Sequence, residues 1–457
     1  MANNTEIIAR IPNPNAGPAH FTTASEVATM HYLREVLNIP VPKLIDYSCD
    51  PHNPVGAEYI LMEKVSGIPL SERWLAWGQQ ERIRIIEDLL RILSPSLNIG
   101  FSHNGSLYFR KDLPPGMPHV PLNDKDTSNN EIYCIGPATS PEFWEAQRSQ
   151  LNPHRGPCIF SHIRSNLGLT VDKYWIAICE REIQWLGTYA KPRPHSDPLR
   201  QQEDQENPQQ HIELLKLFIK LAPHVIPSDV SLAAPALWHP DLHMENIMIS
   251  AESPSKIVAI IDWQHAVIAP LYLHIIEPVF VRADLNFYNL DAGEIRELNS
   301  IYLNVLQKHN PNAYKAISLP YASFLAMLIS RSGETWSRRN GIIRLRGDLC
   351  EFLDNWKHFG LGEQAPISFT QAQREEYHQA AQGQRVRRQF IESVIAEIEM
   401  SFSGEVSPEV YEIKKVKYET AKQKWIEDMK ERQKLSGRTT KVPWEELWPF
   451  RYPDIGF

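Results

Sequence analysis

One eight-residue stretch just past the middle of the chain constrains the fold more than any other. It reads His-Pro-Asp-Leu-His-Met-Glu-Asn over residues 239–246, which is the pattern H-x-D-x-x-x-x-N. The apolar run Ile247–Ile249 follows, then a polar turn, then a second apolar run, Ile257–Ile261, that ends at Asp262. Two short apolar runs joined by a turn predict a β-hairpin. The hairpin would bring the first Asp and the Asn of the motif close to Asp262.

Oxygen-bearing side chains that converge in this way suit phosphoryl transfer. Mg²⁺ prefers oxygen ligands and is usually held by one or two carboxylates together with substrate phosphates. In protein kinases the catalytic loop supplies an Asp base and an Asn ligand, and a later Asp supplies a further metal contact. By that logic Asp241 would accept the proton of the attacking hydroxyl, and Asn246 and Asp262 would hold the metal ion. His239 would brace the loop.

These residues carry a resemblance to a known family. Residues 237–247 and Ile261–Gln264 resemble the aminoglycoside phosphotransferase and choline kinase family. The Asp-Trp-Gln form of the second motif, with residues 448–451, is similar to a fungal branch typified by altered inheritance of mitochondria protein nine. The resemblance runs from about Glu6 to Arg451. It implies an α+β, protein-kinase-like, two-lobed fold with a small β-rich N-lobe, truncated at its start, and a large, mainly helical C-lobe.

The first strand and helix offer candidates for gripping nucleotide phosphates. A helix is expected over Glu26–Leu37, with Thr23 or Ser25 as its cap. In kinases a basic residue on the third strand contacts the phosphates and pairs with a Glu on the next helix. Arg10 and Glu26 fit those roles, although Arg is a planar fork where Lys is usual. The alternative is an exposed strand Arg and a first-turn Glu favoured by the helix dipole.

A strand pair is expected next, over residues 43–47 and 57–63, before a connection to the larger lobe. By resemblance this connection is the hinge between the lobes. Backbone groups near Met62, Glu63 and Val65 would meet the adenine of ATP there. Since backbone atoms would make these contacts, the side chains at those positions carry little information.

The predicted domain limits follow from these elements. Residues 1–66 are expected to form a partial N-lobe, residues 67–365 a C-lobe that contains the loop 239–246, and residues 366–457 a helical extension with an aromatic tail. Residues 101–208 are an insertion relative to a minimal kinase. Its Trp and Arg residues could line an acceptor pocket, or they could be ordinary packing.

Composition excludes several classes of protein. Hydrophobic residues make up 42% of the 457 and charged residues 22%, which is ordinary for a globular protein. A net charge of −8 argues against general nucleic-acid binding. The 5 cysteines include no C-x-x-C pair, which argues against disulfides or zinc and favours a reducing compartment. No apolar run reaches the ~18 residues of a membrane span. The start matches neither a secretory signal nor a convincing transit peptide.

The sequence therefore predicts an ATP- and Mg²⁺-dependent phosphotransferase that acts on a hydroxyl of a small molecule. Trp263 and Gln264 replace Phe-Gly after Asp262, and no A-P-E segment follows, so a protein kinase is disfavoured. His243 could contact the transferred phosphate or serve only the loop. The expected location is mitochondrial or cytoplasmic. The acceptor and the oligomeric state cannot be read from the sequence.

The alternative is a catalytically weak or inactive kinase-fold protein that binds or scaffolds. A kinase small lobe needs two strands and a glycine-rich phosphate loop before the basic strand, and 9 residues precede Arg10. We therefore expect upstream coding sequence with two strands around a glycine-containing turn, and weaker ATP binding by this form. Nucleotide binding with and without Mg²⁺ would separate the two classes.

Overall fold

The structure is a computed structural model of the chain, and it divides into two compact units. It describes residues 6–13, 17–123, 127–140, 143–144, 147–151, 172–191, 207–252, 256–282, 290–334, 341–398, 409–436 and 448. The first unit comprises Met1–Gln184, Phe218–Gly333 and Phe359–Leu361, and the second comprises Trp185–Leu217, Glu334–His358 and Gly362–Phe457.

Within the described ranges the strands all lie in the first unit, while helices occur in both. The strands are β1 (Ile7–Arg10), β2 (Leu44–Ser48), β3 (Tyr59–Glu63), β4 (Ile68–Pro69), β5 (Ser106–Phe109), β6 (Tyr133–Gly136), β7 (Pro235–Leu237), β8 (Ile247–Ile249), β9 (Ile257–Ile260) and β10 (Ile268–Pro270). The helices are α1 (Phe21–Glu35), α2 (Ser71–Trp74), α3 (Gln79–Leu93), α4 (Thr127–Ile132), α5 (Asp172–Thr188), α6 (Pro208–Leu221), α7 (Leu271–His274), α8 (Ala292–His309), α9 (Pro311–Ile317), α10 (Ala322–Glu334), α11 (Gly341–Asp354), α12 (Gln371–Ile398) and α13 (Tyr411–Ser436).

The strands form small antiparallel sheets that suit a two-lobed design. The first sheet has the order β1-β3-β2, so β3 is its central strand and Arg10 lies opposite Ile60. The predicted hairpin is present as β8 and β9, and β4 adds a third strand to it. The remaining sheets pair β5 with β6 and β7 with β10. The hairpin was predicted because its apolar runs and its turn are local signals.

Helix α1 begins earlier than predicted. It starts at Phe21 instead of Glu26, and the predicted caps Thr23 and Ser25 lie inside it, 1% and 2% exposed. The Thr23 hydroxyl donates to Glu58 Oε2 at 2.5 Å rather than capping the helix. The prediction of the N-cap from residue type was wrong because the first turn is buried against the β5–β6 hairpin. Polar side chains buried there need hydrogen-bond partners of their own.

The insertion packs as a hairpin against α1 in its described part. Tyr108 and Cys134 form a buried cluster with Ala24 of the helix. Arg148 is fully buried and donates to Glu182 Oε2 and Oε1 at 2.9 and 2.7 Å. Arg148 therefore serves packing, which was one of the two roles left open for Arg residues of the insertion. Residues 152–171 and 192–206 of the insertion lie outside the described residues.

The later helices agree in type with the sequence pattern and differ in their bounds. The sequence pattern predicts helices over residues 292–309 and 314–336. Helix α8 has the first of these limits, whereas the second stretch forms two helices, α9 and α10. The break contains Pro320, which disfavours helical backbone at the residue before it. Within the described residues no single helix is long and apolar enough to cross a membrane. The pair Pro311–Ile317 and Ala322–Ser332, bent by 72°, passes the same test only together.

The second unit contains the one tail aromatic that the structure describes. Trp448 is 1% exposed and donates through Nε1 to the Tyr418 hydroxyl at 3.0 Å. It packs in a cluster with Val394 and Ile398 of α12. The many aromatic residues over 442–457 predict a tail that docks instead of fraying. Trp448 does dock, on helices α12 and α13, and the other tail aromatics lie outside the described residues.

Candidate functional site

The motif 239–246 folds into a loop that is tied to the end of β9. His239 is 2% exposed, and its Nε2 lies 2.9 Å from the Ile261 carbonyl oxygen. The Asp241 N–H donates to His239 Nδ1 at 3.1 Å. Because a carbonyl only accepts, the ring carries its proton on Nε2 and is neutral. Burial lowers the pKa of His239 to about 4, which keeps it so. This geometry is that of a brace between the loop and the strand that precedes Asp262.

The two polar residues at the ends of the motif differ in how they are held. The Asp241 side chain is 73% exposed, and its carboxylate lies 3.4 Å from His243 Nε2. Asn246 is 6% exposed and donates through Nδ2 to the Asp241 carbonyl oxygen at 2.9 Å. His243 also caps the short turn after it, because its Nδ1 accepts from the Glu245 N–H at 3.2 Å. The loop therefore fixes Asn246 and leaves the Asp241 carboxylate open to a second molecule.

Asp262 lies in a turn whose backbone is unusual. Asp262 and His265 have φ of 63° and 61°, in the left-handed region that non-glycine residues rarely adopt. Asp tolerates this region better than most residues, and such strain clusters at functional sites. Trp263, between them, is fully buried, stacks edge-on against His239 at 4.5 Å and donates to the Ile260 carbonyl oxygen at 3.1 Å. The buried indole anchors the turn, so Asp262 is held at its surface.

Arg10 joins this turn to helix α1. Its Nη1 donates to Glu26 Oε1 at 2.5 Å, and its Nη2 donates to Asp262 Oδ1 at 2.9 Å and to Gln264 Oε1. Glu26 is 4% exposed, and burial raises its pKa to about 7 against the opposing effect of the Arg10 charge. The pair that the sequence suggested is therefore in contact, and it also touches the residue proposed for the metal.

Backbone contacts set the position of this corner. The Ile261 N–H donates to the Asn246 carbonyl oxygen at 3.0 Å, so Asp262 follows a residue bonded to Asn246. The Ile260 N–H donates to the Pro40 carbonyl oxygen at 2.8 Å, which ties β9 to the connection after α1. A Cβ on Gly67 would lie 2.7 Å from the Ile249 carbonyl oxygen, so only glycine lets the chain pass this close to β8.

The three hinge candidates lie at the end of β3 and just beyond it. Met62 is the buried member, at 9% exposure. The Glu63 N–H donates to the Lys43 carbonyl oxygen at 2.9 Å, and the Glu63 carboxylate accepts from Arg34 at 3.1 Å. The Val65 carbonyl oxygen accepts from the Gly67 N–H at 3.1 Å. The sheet and the turn thus already use some backbone groups of this segment.

Asn246 and Asp262 are the candidate ligands for Mg²⁺. No group of three or more His, Cys, Asp or Glu side chains that could hold a metal occurs among the described residues. Asn246 and Asp262 offer one amide and one carboxylate, which suits an ion that takes its other ligands from phosphates and water. Arg10 occupies Asp262 Oδ1, while Asp262 Oδ2 and Asn246 Oδ1 make no hydrogen bond within the described part of the chain. The residues present therefore fit Mg²⁺.

Sequence reasoning missed two contacts of the site. It gave Gln264 no role, and it did not connect Arg10 with Asp262, although both contacts are present. The Asp-Trp-Gln segment contains a signal for these contacts. An apolar Trp between two polar residues predicts that the Trp is buried and that its two polar neighbours lie on the side away from the core. Only the turn geometry makes that side face β1.

Three comparisons place the chain among known proteins. A sequence model of the phosphotransferase enzyme family matches residues 2–273. A subtelomeric hrmA-associated cluster protein of Aspergillus fumigatus is 32% identical over 453 residues, which covers 90% of this chain and 86% of that protein. Altered inheritance of mitochondria protein 9, mitochondrial, of Lachancea thermotolerans is 27% identical over 67% of this chain and 52% of its own length. Among solved structures, ethanolamine kinase of Plasmodium vivax aligns with 73% of this chain and 72% of its own, at 10% identity and a TM-score of 0.32.

Proposed function

Because this chain belongs to the phosphotransferase enzyme family, we propose that it transfers the γ-phosphate of ATP to a hydroxyl group of a small molecule, with Mg²⁺. Family membership rests on the match over residues 2–273 and on the Aspergillus relative. It confirms the predicted family and the predicted α+β, kinase-like fold. Nucleotide, metal and acceptor remain our proposal.

One observation carries the proposal most directly. The loop with Asp241 and Asn246 is joined to the turn with Asp262 by the His239 brace and by the Ile261–Asn246 hydrogen bond. The same turn contacts Arg10, so a cation lies beside the Asp262 carboxylate, and the turn is bonded to the loop that carries Asp241 and Asn246. Positioning and charge stabilisation are what phosphoryl transfer needs from a protein.

Each residue then has a role that its surroundings suit. Asp241, exposed and beside His243, would orient the acceptor hydroxyl and take its proton. Asn246 and Asp262 would hold Mg²⁺, which when bound neutralises charge on the nucleotide phosphates. Arg10 would contact those phosphates while Glu26 orients its guanidinium.

The neighbouring groups would shape the rest of the site. Backbone atoms of Met62, Glu63 and Val65 would meet the adenine ring at the hinge. His239 would keep the loop in place from a buried, neutral position. His243 would support the loop through its contact with the Glu245 N–H, and its Nε2 would face the same space as Asp241.

A direct test uses the purified full chain. Calorimetric titration with ATP should show binding that strengthens with Mg²⁺, and a panel of sugars, polyols and amino alcohols should reveal acceptor-dependent ADP release. The Asp241→Asn variant is the matched control, because it should bind nucleotide and lose turnover. An ATP affinity that does not change with Mg²⁺, or parent-like turnover in the Asp241→Asn variant, would contradict the proposed chemistry.

A second candidate is a kinase-fold binding or scaffolding protein without turnover. The ion pair between Arg10 and Asp262 favours it, because this pair places a protein cation on the carboxylate that a metal would need. Under this candidate the chain binds nucleotide weakly, and Mg²⁺ adds nothing. The titration above decides between the two.

The location of the protein is also a proposal. Yeast relatives carry names that describe them as mitochondrial. A mitochondrial location is consistent with those names, and a cytoplasmic one is the alternative. Fractionation of cells that express the tagged full-length gene product would decide it.

A further inference from the structure

Arg10 has a neutral partner as well as two charged ones. Its Nη2 donates both to Asp262 Oδ1, at 2.9 Å, and to Gln264 Oε1, while Nη1 reaches Glu26 at 2.5 Å. The three acceptors come from helix α1 and from one turn. The guanidinium of Arg10 therefore connects β1 to a helix residue 16 positions away and to turn residues more than 250 positions away. An ammonium group has no planar fork with which to meet three acceptors in this way. This explains why Arg stands where Lys is usual.

The backbone conformation of the turn places Gln264 close to Asp262. Trp263 is buried, whereas Asp262 is exposed and Gln264 is half-buried, and both of these side chains contact Arg10. Positive φ at Asp262 and His265 closes the turn on either side of Gln264. Arg10 only donates, so the amide oxygen, not the amide nitrogen, must face it. The orientation of the Gln264 amide is thus fixed by chemistry.

The neutral partner Gln264 matters because the Asp262 carboxylate interacts with Arg10 and, in the proposed function, also with Mg²⁺. In the proposed function Mg²⁺ binds the carboxylate whose Oδ1 accepts from Arg10, and the metal charge weakens the attraction of that carboxylate for Arg10. When the metal takes the carboxylate, Arg10 needs another acceptor on the turn to stay over the site. A Glu at position 264 would supply an acceptor but would add a third anion beside Glu26 and Asp262. A Gln supplies the acceptor without the charge.

We propose that Gln264 is a positioning residue that holds the guanidinium of Arg10 over the nucleotide site when Asp262 turns to the metal. This role rests on the proposed function. Gln264 need not touch the reacting atoms. It acts through Arg10 and keeps the fork aimed at the phosphates.

A double-mutant cycle tests the anchor without relying on activity. The parent, Gln264→Leu, Arg10→Met and the double variant are unfolded with urea in EDTA and again with Mg²⁺ and a non-hydrolysable ATP analogue. Contacting residues couple, so the unfolding constants should be non-additive by about threefold or more in EDTA. The coupling should persist with Mg²⁺ and the analogue. Gln80→Leu, at an exposed position of α3, replaces Gln264→Leu in the control cycle and should show additivity.

A second pair of variants keeps the test open if Arg10→Met does not fold. Arg10→Lys retains the charge and should lose most of the coupling to Gln264. Gln264→Glu retains an acceptor and should recover the coupling to Arg10 that Gln264→Leu removes. In turnover assays Gln264→Leu should lower kcat by about tenfold with little change in KM, and Gln264→Glu should restore part of it.

The outcomes separate the two claims. Additive unfolding constants in EDTA would overturn the anchor. Coupling that disappears with Mg²⁺ and the analogue would overturn the positioning role, because Arg10 would then have left Gln264. A parent chain that binds no analogue would overturn the proposed function instead, and the metal-free cycle distinguishes that result from failure of the anchor.

Discussion

The Arg10 corner and the Asp241 loop are joined by backbone hydrogen bonds, yet they differ in how much is fixed in advance. At the corner, Glu26 is 4% exposed and Arg10 already has three partners. In the loop, the Asp241 side chain is 73% exposed, and its carboxylate lies 3.4 Å from His243 Nε2. The corner that we propose for the nucleotide is therefore held by ion pairs, and the loop that we propose for the acceptor is left open.

This difference has energetic consequences. A buried carboxylate such as Glu26 carries a desolvation cost that its partner only partly offsets, so changes there should affect folding and binding together. An exposed carboxylate such as Asp241 carries little cost, so changes there should affect chemistry alone. Substitutions at four positions test the comparison, from the largest expected effect to the smallest.

Removing the Asp262 carboxylate should have the largest effect on binding. We expect Asp262→Ala and Asp262→Asn to abolish the Mg²⁺ dependence of ATP binding while the fold survives. Asn is the sharper variant, because φ at this position is 63° and Asn tolerates left-handed backbone. Calorimetry with and without Mg²⁺ measures the change, and Asp50→Asn, on an exposed loop, is the control. Unchanged Mg·ATP affinity in both variants would remove Asp262 from the site.

Removing the Asp241 carboxylate should affect turnover only. Positioned proton transfer is worth roughly 10²–10⁴-fold in rate, so Asp241→Asn should reduce kcat by about that factor. Its nucleotide affinity should stay near that of the parent, and its unfolding free energy should change by less than about 0.5 kcal/mol. Steady-state kinetics with any acceptor found in the screen provide the measurement. Parent-like turnover would sink the assignment of Asp241.

Glu26 should make stability depend on pH. Its pKa rises on folding from 4.5 to about 7, so the folded chain binds this proton more tightly than the unfolded chain does. The resulting stability is fully present below pH 4.5 and is lost as the pH rises through about 7. It amounts to about 3 kcal/mol at most.

In the parent, the unfolding free energy should fall as the pH rises from 5 to 7. In Glu26→Gln this fall should be smaller, by up to about 3 kcal/mol. Urea titrations of both proteins across this range provide the comparison, and Glu87→Gln, on the exposed side of α3, is the control. Identical pH slopes for parent and Glu26→Gln would show that Glu26 is not held in a desolvated state.

His243 should give the smallest effect. His243→Asn keeps an acceptor for the Glu245 N–H, because Asn is a good residue at such a cap, and it removes the Nε2 atom near Asp241. If His243 only supports the loop, turnover should change by less than about fivefold, since exposed pairs contribute about 0–1 kcal/mol. A loss of a hundredfold or more would instead place His243 on the transferred phosphate.

The sequence by itself determined the features whose signals are local. The motif 239–246, the hairpin of β8 and β9 and the limits of α8 follow from spacing and apolar periodicity over a few residues. The roles expected for Arg10 and Glu26 came from family resemblance. The start of α1 was predicted wrongly from the sequence. Thr23 is a residue type that favours caps, but here it is buried inside the helix.

Only the tertiary structure decided what meets at the corner. Arg10 lies 252 residues from Asp262 and 254 from Gln264, and no local pattern couples positions so far apart. Their contact depends on the left-handed turn after β9, on the buried Trp263 beneath it and on the β1 strand above it. The shared ion pair, the raised pKa of Glu26 and the role of Gln264 all arise from that packing, because charge and burial act through space and not along the chain.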